Sequence, residues 1–364
     1  MTAPTSPQSV VLAAGTATGA GTSVALVEAC RTLSEQVASG VVSSAEVRIP
    51  ASADQARAVS VGLTVKERTR LHAVVEELLG LANADVYIGF ADRLPLRNPP
   101  GSAVMVVQNP HLYEPSDAPS LGQIGRRFLT WWAKRSAGSA DVIVCSTDAS
   151  SRSFQDAVPA ADPNRVVVRP IRPKTTGALR EGAKTPSPTI DRIALLGDLY
   201  SYKRFDVAID GIVEWAQNSG AVDRVHIVHC GREQDAAGVE AFRVAVGKAR
   251  SAGIEVTVRG GVEHGEALAE LASADLLISA SEVETQGLTV LEAMAVGVPV
   301  VARSIGPISD VAGNAYRPFA VDGGAAEVAA AIGQIEDPGS RQRMVERGRK
   351  KSDMVVGWDL LPPR

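Results

Sequence analysis

Glu284 and Glu292 stand eight positions apart in SEVETQGLTVLEAMAVGVPVVARS (Ser281–Ser304), with Gly287 between them and Gly297 and Pro299 close behind. Ionised carboxylates only accept hydrogen bonds, so a pair of them around a helix start suits a ligand rich in hydroxyls. DLLIS (Asp275–Ser279) has the near-continuous apolar character of a parallel strand buried on both faces. Ser281 to Gln286 reads as a loop. Gly287 can take backbone angles that other residues avoid, and it lets a ligand approach the main chain. LTVLEAMA is a run of good helix formers. Gly297 suits the position just past a helix end, and Pro299 cannot continue a helix. The free N–H groups of Gly287, Leu288 and Thr289 at the helix start, with the helix dipole, make an anion site suited to phosphate. Glu292 lies just over a turn further in, where a carboxylate is wrong for phosphate but can accept from a vicinal diol such as ribose. Glu284, in the loop on the far side of the phosphate position, is placed for hydroxyls of a second sugar. Ribose, phosphate and sugar in that order are the parts of a nucleotide sugar.

The elements that must position these residues alternate between strand and helix. VVLAA (Val10–Ala14), EVRIPA, DVYIGF, SAVMVVQ, DVIVCS and RVVVRP read as strands, and VALVEACRTLSEQV, VKERTRLHAVVEELLGLA and GQIGRRFLTWWAKRSAGSA as helices between them. IRPKTTGALREGAKTPSPTI is rich in Pro, Gly, Thr and Lys, as a linker is. The alternation then restarts with RIALLGD, RVHIVHCG, EVTVRGG, DLLISAS and PVVARS as strands. This pattern predicts an α/β protein of two Rossmann-like, doubly wound parallel-sheet domains facing a cleft, with ligands at the carboxyl ends of the strands. The expected boundaries are a first domain over 1–173, a linker over 174–190, a second domain over 191–340 and a helical tail over 341–364.

Bulk properties bound the function. The chain has 364 residues, 45% hydrophobic and 21% charged, with a formal net charge of -4, which gives no case for nucleic acid as a partner. No apolar run is long enough for a membrane span, and MTAPTSPQSV lacks the basic start and apolar core of a secretory leader, so a cytoplasmic protein is expected. Cys30, Cys145 and Cys230 are isolated and set in apolar surroundings, which predicts buried thiols. His226 and His229 lie at i and i+3 of a strand, so they point to opposite faces and do not share a metal. No Asp-x-Asp occurs, which removes the commonest carboxylate clamp for a metal-bridged diphosphate, and no metal site is expected.

Two further stretches could touch ligands. GTATGAGTS (Gly15–Ser23) allows close backbone approach through Gly19, Gly21 and Thr22. It is a poor dinucleotide fingerprint, because Val24 holds the third glycine position and no acid closes the second strand. RRFLTWWAKR (Arg126–Arg135) pairs aromatics with cations. It reads chiefly as a helix burying Phe128, Trp131 and Trp132, and alternatively as a membrane-surface contact for a lipid-linked acceptor.

Glu284, Gly287, Leu288, Glu292, Ala293, Met294, Ala295, Gly297, Pro299, Val300 and Val301 together resemble the Glu-x7-Glu signature of the retaining GT-B glycosyltransferases often called family 4. GDLYSYK resembles that family's Gly-Arg-x4-Lys loop through Gly197 and Lys203; VTVRGGV and GPISDV, with Gly306 and Asp310, resemble two further elements, and Trp358 a late Ser-Trp. The resemblance is strong over about 191–335 and loose before it. It implies that Lys203 neutralises the donor diphosphate, Glu292 holds the ribose, Glu284 orients the donor sugar, and the first domain binds a carbohydrate, lipid-linked or small-molecule acceptor. It also implies a metal-independent enzyme with no cofactor, using a nucleoside-diphosphate sugar as co-substrate. Two positions depart from the pattern. Asp198 stands where the family has Arg, so Arg204 or Arg232 is expected to supply that charge, and Gln286 replaces an aromatic. Near Gln108 and Asn109, where the family often has His, His111 is either a sugar contact or an ordinary loop histidine. Two other readings stay open: a non-catalytic nucleotide-sugar-binding protein, and a nicotinamide-dependent oxidoreductase.

Overall fold

The computed structural model describes residues 8–15, 20–79, 83–90, 92–97, 99–108, 123–173, 186–355, 358 and 360–362. Gly19, Asn109 and His111, and most of the expected linker, lie outside the described residues. The chain divides into two compact units, Met1–Arg172 with Val356–Arg364, and Pro173–Val355.

In the first unit, β1 (Gln8–Ala13), β2 (Val42–Pro50), β3 (Thr64–Arg68), β4 (Val86–Gly89), β5 (Ser102–Val106), β6 (Val142–Cys145) and β7 (Val166–Val168) form one sheet. Its order is β3-β2-β1-β4-β5-β6-β7, and every pairing is parallel. The apolar runs explain this: Val11, Ala13, Tyr87, Met105 and Ile143 share one core cluster, while Val10, Leu12, Val104 and Val144 are buried as well. Side chains alternate in direction along a strand, so burial of both sets means that both faces are covered. The three cysteines are buried, as their surroundings predict.

Three readings of this half are corrected. VKERTRLHAVVEELLGLA is not one helix, since Thr64–Arg68 is the edge strand β3 and the helix begins at Arg70. Its polar side chains are satisfied by charge pairs, with Lys66 Nζ 2.7 Å from Glu46 Oε2 and Arg68 Nε 2.7 Å from Glu76 Oε2, so this edge needs little apolar burial. Gly21 and Thr22 lie within the first turn of the helix Ala20–Ala38 and not in a loop. Lastly, the helix Gln123–Ser139 buries Trp132, whose Nε1 donates to Leu94 O at 2.7 Å, but leaves Phe128 and Trp131 about half exposed, at 45% and 51%. Trp131 and Trp132 are consecutive and so point about 100° apart around the helix, one outward and one into the core, while Phe128, at i,i+4 to Trp132, packs on its edge with ring centroids 5.9 Å apart.

The second unit contains β8 (Arg192–Leu196), β9 (His226–Cys230), β10 (Glu255–Val258), β11 (Leu276–Ser279), β12 (Val300–Arg303) and β13 (Arg317–Phe319). They run parallel in the order β10-β9-β8-β11-β12-β13. Ile193, Leu195, Leu276, Ile278 and Val301 pack into one layer with the helices Phe205–Ser219, Ala236–Ser251 and Ala325–Gly333. Ala194, Leu277, Val300 and Ala302 pack into the other with His264–Ser273, Leu288–Val296 and Gly306–Ala312. Strand order reverses between β8 and β11, so the loops after these two strands diverge and open a binding place at their carboxyl ends.

The expected helical tail over 341–364 is divided. The helix Pro338–Asp353 belongs to the second unit through buried Arg341, Met344 and Val345, whereas Val356–Arg364 returns to the first. There Trp358 is fully buried, its ring edge-on to Phe90 with centroids 5.7 Å apart, and Arg169 Nη1 donates to Leu361 O at 2.7 Å. The end of the expected linker is also part of the second unit. Ser187 Oγ donates to Asp275 Oδ1 at 2.7 Å, and Arg341 donates to the carbonyls of Ser187 and Pro188.

Candidate active site

The loop after β8 is shaped by close backbone approach. Gly197 sits at φ 133°, and its N–H donates to Cys230 O at 2.9 Å. A Cβ on Gly231 would lie 1.9 Å from Gly197 O, so only glycine fits at the facing position. Asp235 caps the helix Ala236–Ser251 through Gly238 N–H at 2.6 Å, and its other oxygen accepts from Ser201 N–H at 2.8 Å. This holds the turn Ser201–Lys203 in place, and Arg204, left-handed at φ 48°, starts the helix Phe205–Ser219.

Lys203 and Glu284 meet across the reversal point, with Nζ 2.6 Å from Oε1 and only 16% and 19% of the side chains exposed. Burial opposes the ammonium charge, but the Glu284 carboxylate, with Tyr202 and Asp198 behind it, more than offsets that and holds Lys203 above its ordinary range. Nζ also lies 5.5 Å from the Tyr202 ring centroid. The two loops are joined in the backbone as well, Glu282 N–H donating to Tyr202 O at 2.9 Å.

Gly287 has φ 80° and stands at the N-terminal cap of the helix Leu288–Val296. Val290 and Leu291 are the residues whose N–H groups return to Gly287 O, at 3.0 and 3.2 Å. The donors before them, on Leu288 and Thr289, are those a helix start leaves to a ligand or solvent. Glu292 is buried on this helix and meets His264 Nε2 at 2.8 Å.

The two arginines weighed as replacements for the missing one behave differently. Arg232 is anchored to Asp198, with N–H to Oδ1 and Nη2 to Oδ2 both at 3.0 Å, and its side chain stays 49% exposed beside the Gly197 loop. The bond to Asp198 raises its guanidinium further above an already high range. Arg204 instead turns to Asp206 and Glu282. Buried Asp198 is therefore an anchor for a cation on the neighbouring loop.

Sequence reasoning missed two residues. His264 opens the helix His264–Ser273 in VEHGEA, where one histidine carries no spacing signal. Arg303 ends β12 and is buried; its Nε donates to Ala280 O at 2.9 Å and its Nη1 to Val321 O and to Gly323 O at 3.1 Å. Burial lowers its guanidinium below the ordinary range, and the residue clasps the strand end from which the Glu284 loop departs. An apolar-run reading passes over such an arginine because it looks like the end of a strand.

The structure thus gathers Gly197, Lys203, Arg232, Glu284, Gly287, Leu288, Thr289 and Glu292 at the carboxyl edge of one sheet. Solved structures with the same architecture over nearly the whole chain include that of Anabaena HepE in complex with UDP and glucose. It has a TM-score of 0.71 at 15% identity and covers 97% of this chain and 96% of that one. The fold is GT-B. Sucrose-phosphate synthase from Thermosynechococcus elongatus shares this GT-B fold at a TM-score of 0.66 and 14% identity, covering 96% of this chain and 95% of that one. Within the GT-B second unit, residues 184–351 match the family model of glycosyl transferases group 1. Among curated proteins, the D-inositol 3-phosphate glycosyltransferase of Acidothermus cellulolyticus (strain ATCC 43068 / DSM 8971 / 11B) is 28% identical over 233 residues. The match takes in 61% of this chain and 51% of that protein, so the chain spans about half the length of the curated relative it matches.

Proposed function

We propose that the chain is a retaining glycosyltransferase that moves a sugar from a nucleoside-diphosphate sugar to an acceptor hydroxyl without a metal ion or other cofactor. The observation that carries the reading is the Lys203–Glu284 pair, 2.6 Å apart at the strand-order reversal and beside the open start of the Leu288–Val296 helix. The group 1 match over the same unit supports it. Without ligand the two charges satisfy each other. Donor entry exchanges partners: the diphosphate takes Lys203 and the helix N–H groups, and the donor sugar takes Glu284. The leaving diphosphate then gains charge where donors are already oriented, which is how a site lowers a barrier without a covalent nucleophile. Glu292 holds the ribose hydroxyls.

The test is a thermal-shift panel of UDP-, GDP-, ADP- and TDP-sugars, followed by transfer assays in the presence of EDTA. The acceptor set includes D-inositol 3-phosphate, which the curated relative's name supplies, and UDP-glucose is included because HepE's partners were UDP and glucose. One donor should raise the melting temperature by mass action. Lys203→Ala and Glu292→Gln should each lower donor affinity by roughly 10–100-fold, the range for a lost charge-assisted hydrogen bond. Unchanged transfer in both variants sinks the reading, and donor binding with no transfer to any acceptor points to a binding protein.

A specific observation also favours membrane contact by the first unit. The outward stripe of the helix Gln123–Ser139 carries Arg127, Phe128, Trp131, Lys134 and Arg135, with the Phe128 and Trp131 rings 5.8 Å apart, and no acid occurs on this helix. Exposed aromatics among cations fit the interface of an anionic bilayer. Among the described residues no helix is long and apolar enough to cross one. Vesicles containing phosphatidylglycerol should sediment the protein and phosphatidylcholine vesicles should not, and Phe128→Ser with Trp131→Ser should abolish sedimentation. Equal binding to both vesicle types would reject the idea.

A further inference from the structure

We propose that His264 is the positioning residue for Glu292, holding one carboxylate oxygen so that the other is turned to a ligand hydroxyl. The inference rests on the donor-site reading above and adds a residue to it.

Glu292 is 8% exposed and comes from the helix Leu288–Val296, while His264 is 18% exposed and comes from the helix His264–Ser273. The two helices share a core, where Leu268 and Leu271 pack in one cluster with Val290, Ala293 and Met294. Their spacing is therefore set by apolar packing, and the imidazole reaches Glu292 Oε1 at 2.8 Å from a fixed base. An ionised carboxylate only accepts, so Nε2 carries the hydrogen and donates it. A buried carboxylate needs such a donor, and among the described residues this is the bond that Glu292 makes. Among the described residues its second oxygen, Oε2, takes none. With Oε1 tethered, the carboxylate cannot rotate freely about its last torsion, and Oε2 keeps one direction. A hydroxyl arriving there meets an acceptor already oriented, so less freedom is lost on binding.

This places His264 behind the ligand-facing atom. Its contribution should appear only with ligands that own the hydroxyls Glu292 receives. The test is isothermal titration of the full chain with UDP, GDP and ADP and with their 2′,3′-dideoxy counterparts. His264→Ala should weaken the nucleotide that the wild type binds best by about tenfold, as for loss of one oriented hydrogen bond to a charged group. His264→Gln, whose amide can donate from the same place, should stay within about threefold of wild type. With the dideoxy nucleotide, His264→Ala and wild type should bind equally. An equal penalty on both ligands would mean that the histidine merely supports the helix, and would overturn the proposal. So would wild-type affinity in His264→Ala, which leaves the donor-site reading standing. If the wild type binds none of these nucleotides, the donor-site reading falls first and this one with it.

Discussion

Asp198 exchanges the role expected of its position. A buried carboxylate where a cation is expected looks like a lost function, but the carboxylate holds Arg232 N–H and Nη2 and so presents a guanidinium from the neighbouring loop. Arg204 is already committed to Asp206 and Glu282. Arg232→Ala should therefore weaken nucleoside-diphosphate binding by about tenfold and Arg204→Ala by less than about threefold, measured by titration calorimetry. The reverse ranking would put the compensating charge on Arg204. The departure at Asp198 was legible in the sequence, and so was the pair Arg204 and Arg232 as candidates to replace the charge; which of them the carboxylate grips was not, because nothing in the spacing says so. The same holds for His264 and Glu292, which lie 28 residues apart and meet only through helix packing.

At the scale of elements, the strands flanking the site were legible because both faces of β8, β11 and β12 are buried and their central residues are apolar. β3 was hidden for the opposite reason: a polar edge strand held by ion pairs has the composition of a helix surface. β9 adds a case that pattern alone cannot price. His229 is fully buried on it, clustered with the rings of Phe205 and Phe242, with Nε2 donating to Gly197 O at 3.1 Å. Burial pushes its imidazole down to about 4. Below the ordinary value of about 6.5 the unfolded chain takes a proton that the folded one refuses. Stability therefore falls as pH drops from about 6.5 to about 4, by about 3 kcal/mol in total. In His229→Leu, unfolding free energy from urea titrations should be nearly flat over that window once the carboxylate background is subtracted. An unchanged acid slope would show that His229 is not its source.

At the scale of the whole molecule, the chain passes from the first unit to the second near residue 172 and back near residue 356. Trp358 fastens the return, buried against Phe90. Trp358→Ala should cost the first unit about 3–5 kcal/mol, as for other buried large-to-small changes, and leave the second unit's transition in place. Differential scanning calorimetry would then show one transition moving and one fixed, and a joint shift would contradict the division.

That double passage has a consequence for how the protein is made. A ribosome delivers Pro173–Val355 as one uninterrupted stretch, so the second unit can close as soon as it emerges. The first half is synthesised earlier but completed later, because it lacks Trp358 and Leu361 until the second half is already out. A chain released short of Trp358 would therefore carry every residue of the second unit but a first unit without the Phe90–Trp358 and Arg169–Leu361 contacts.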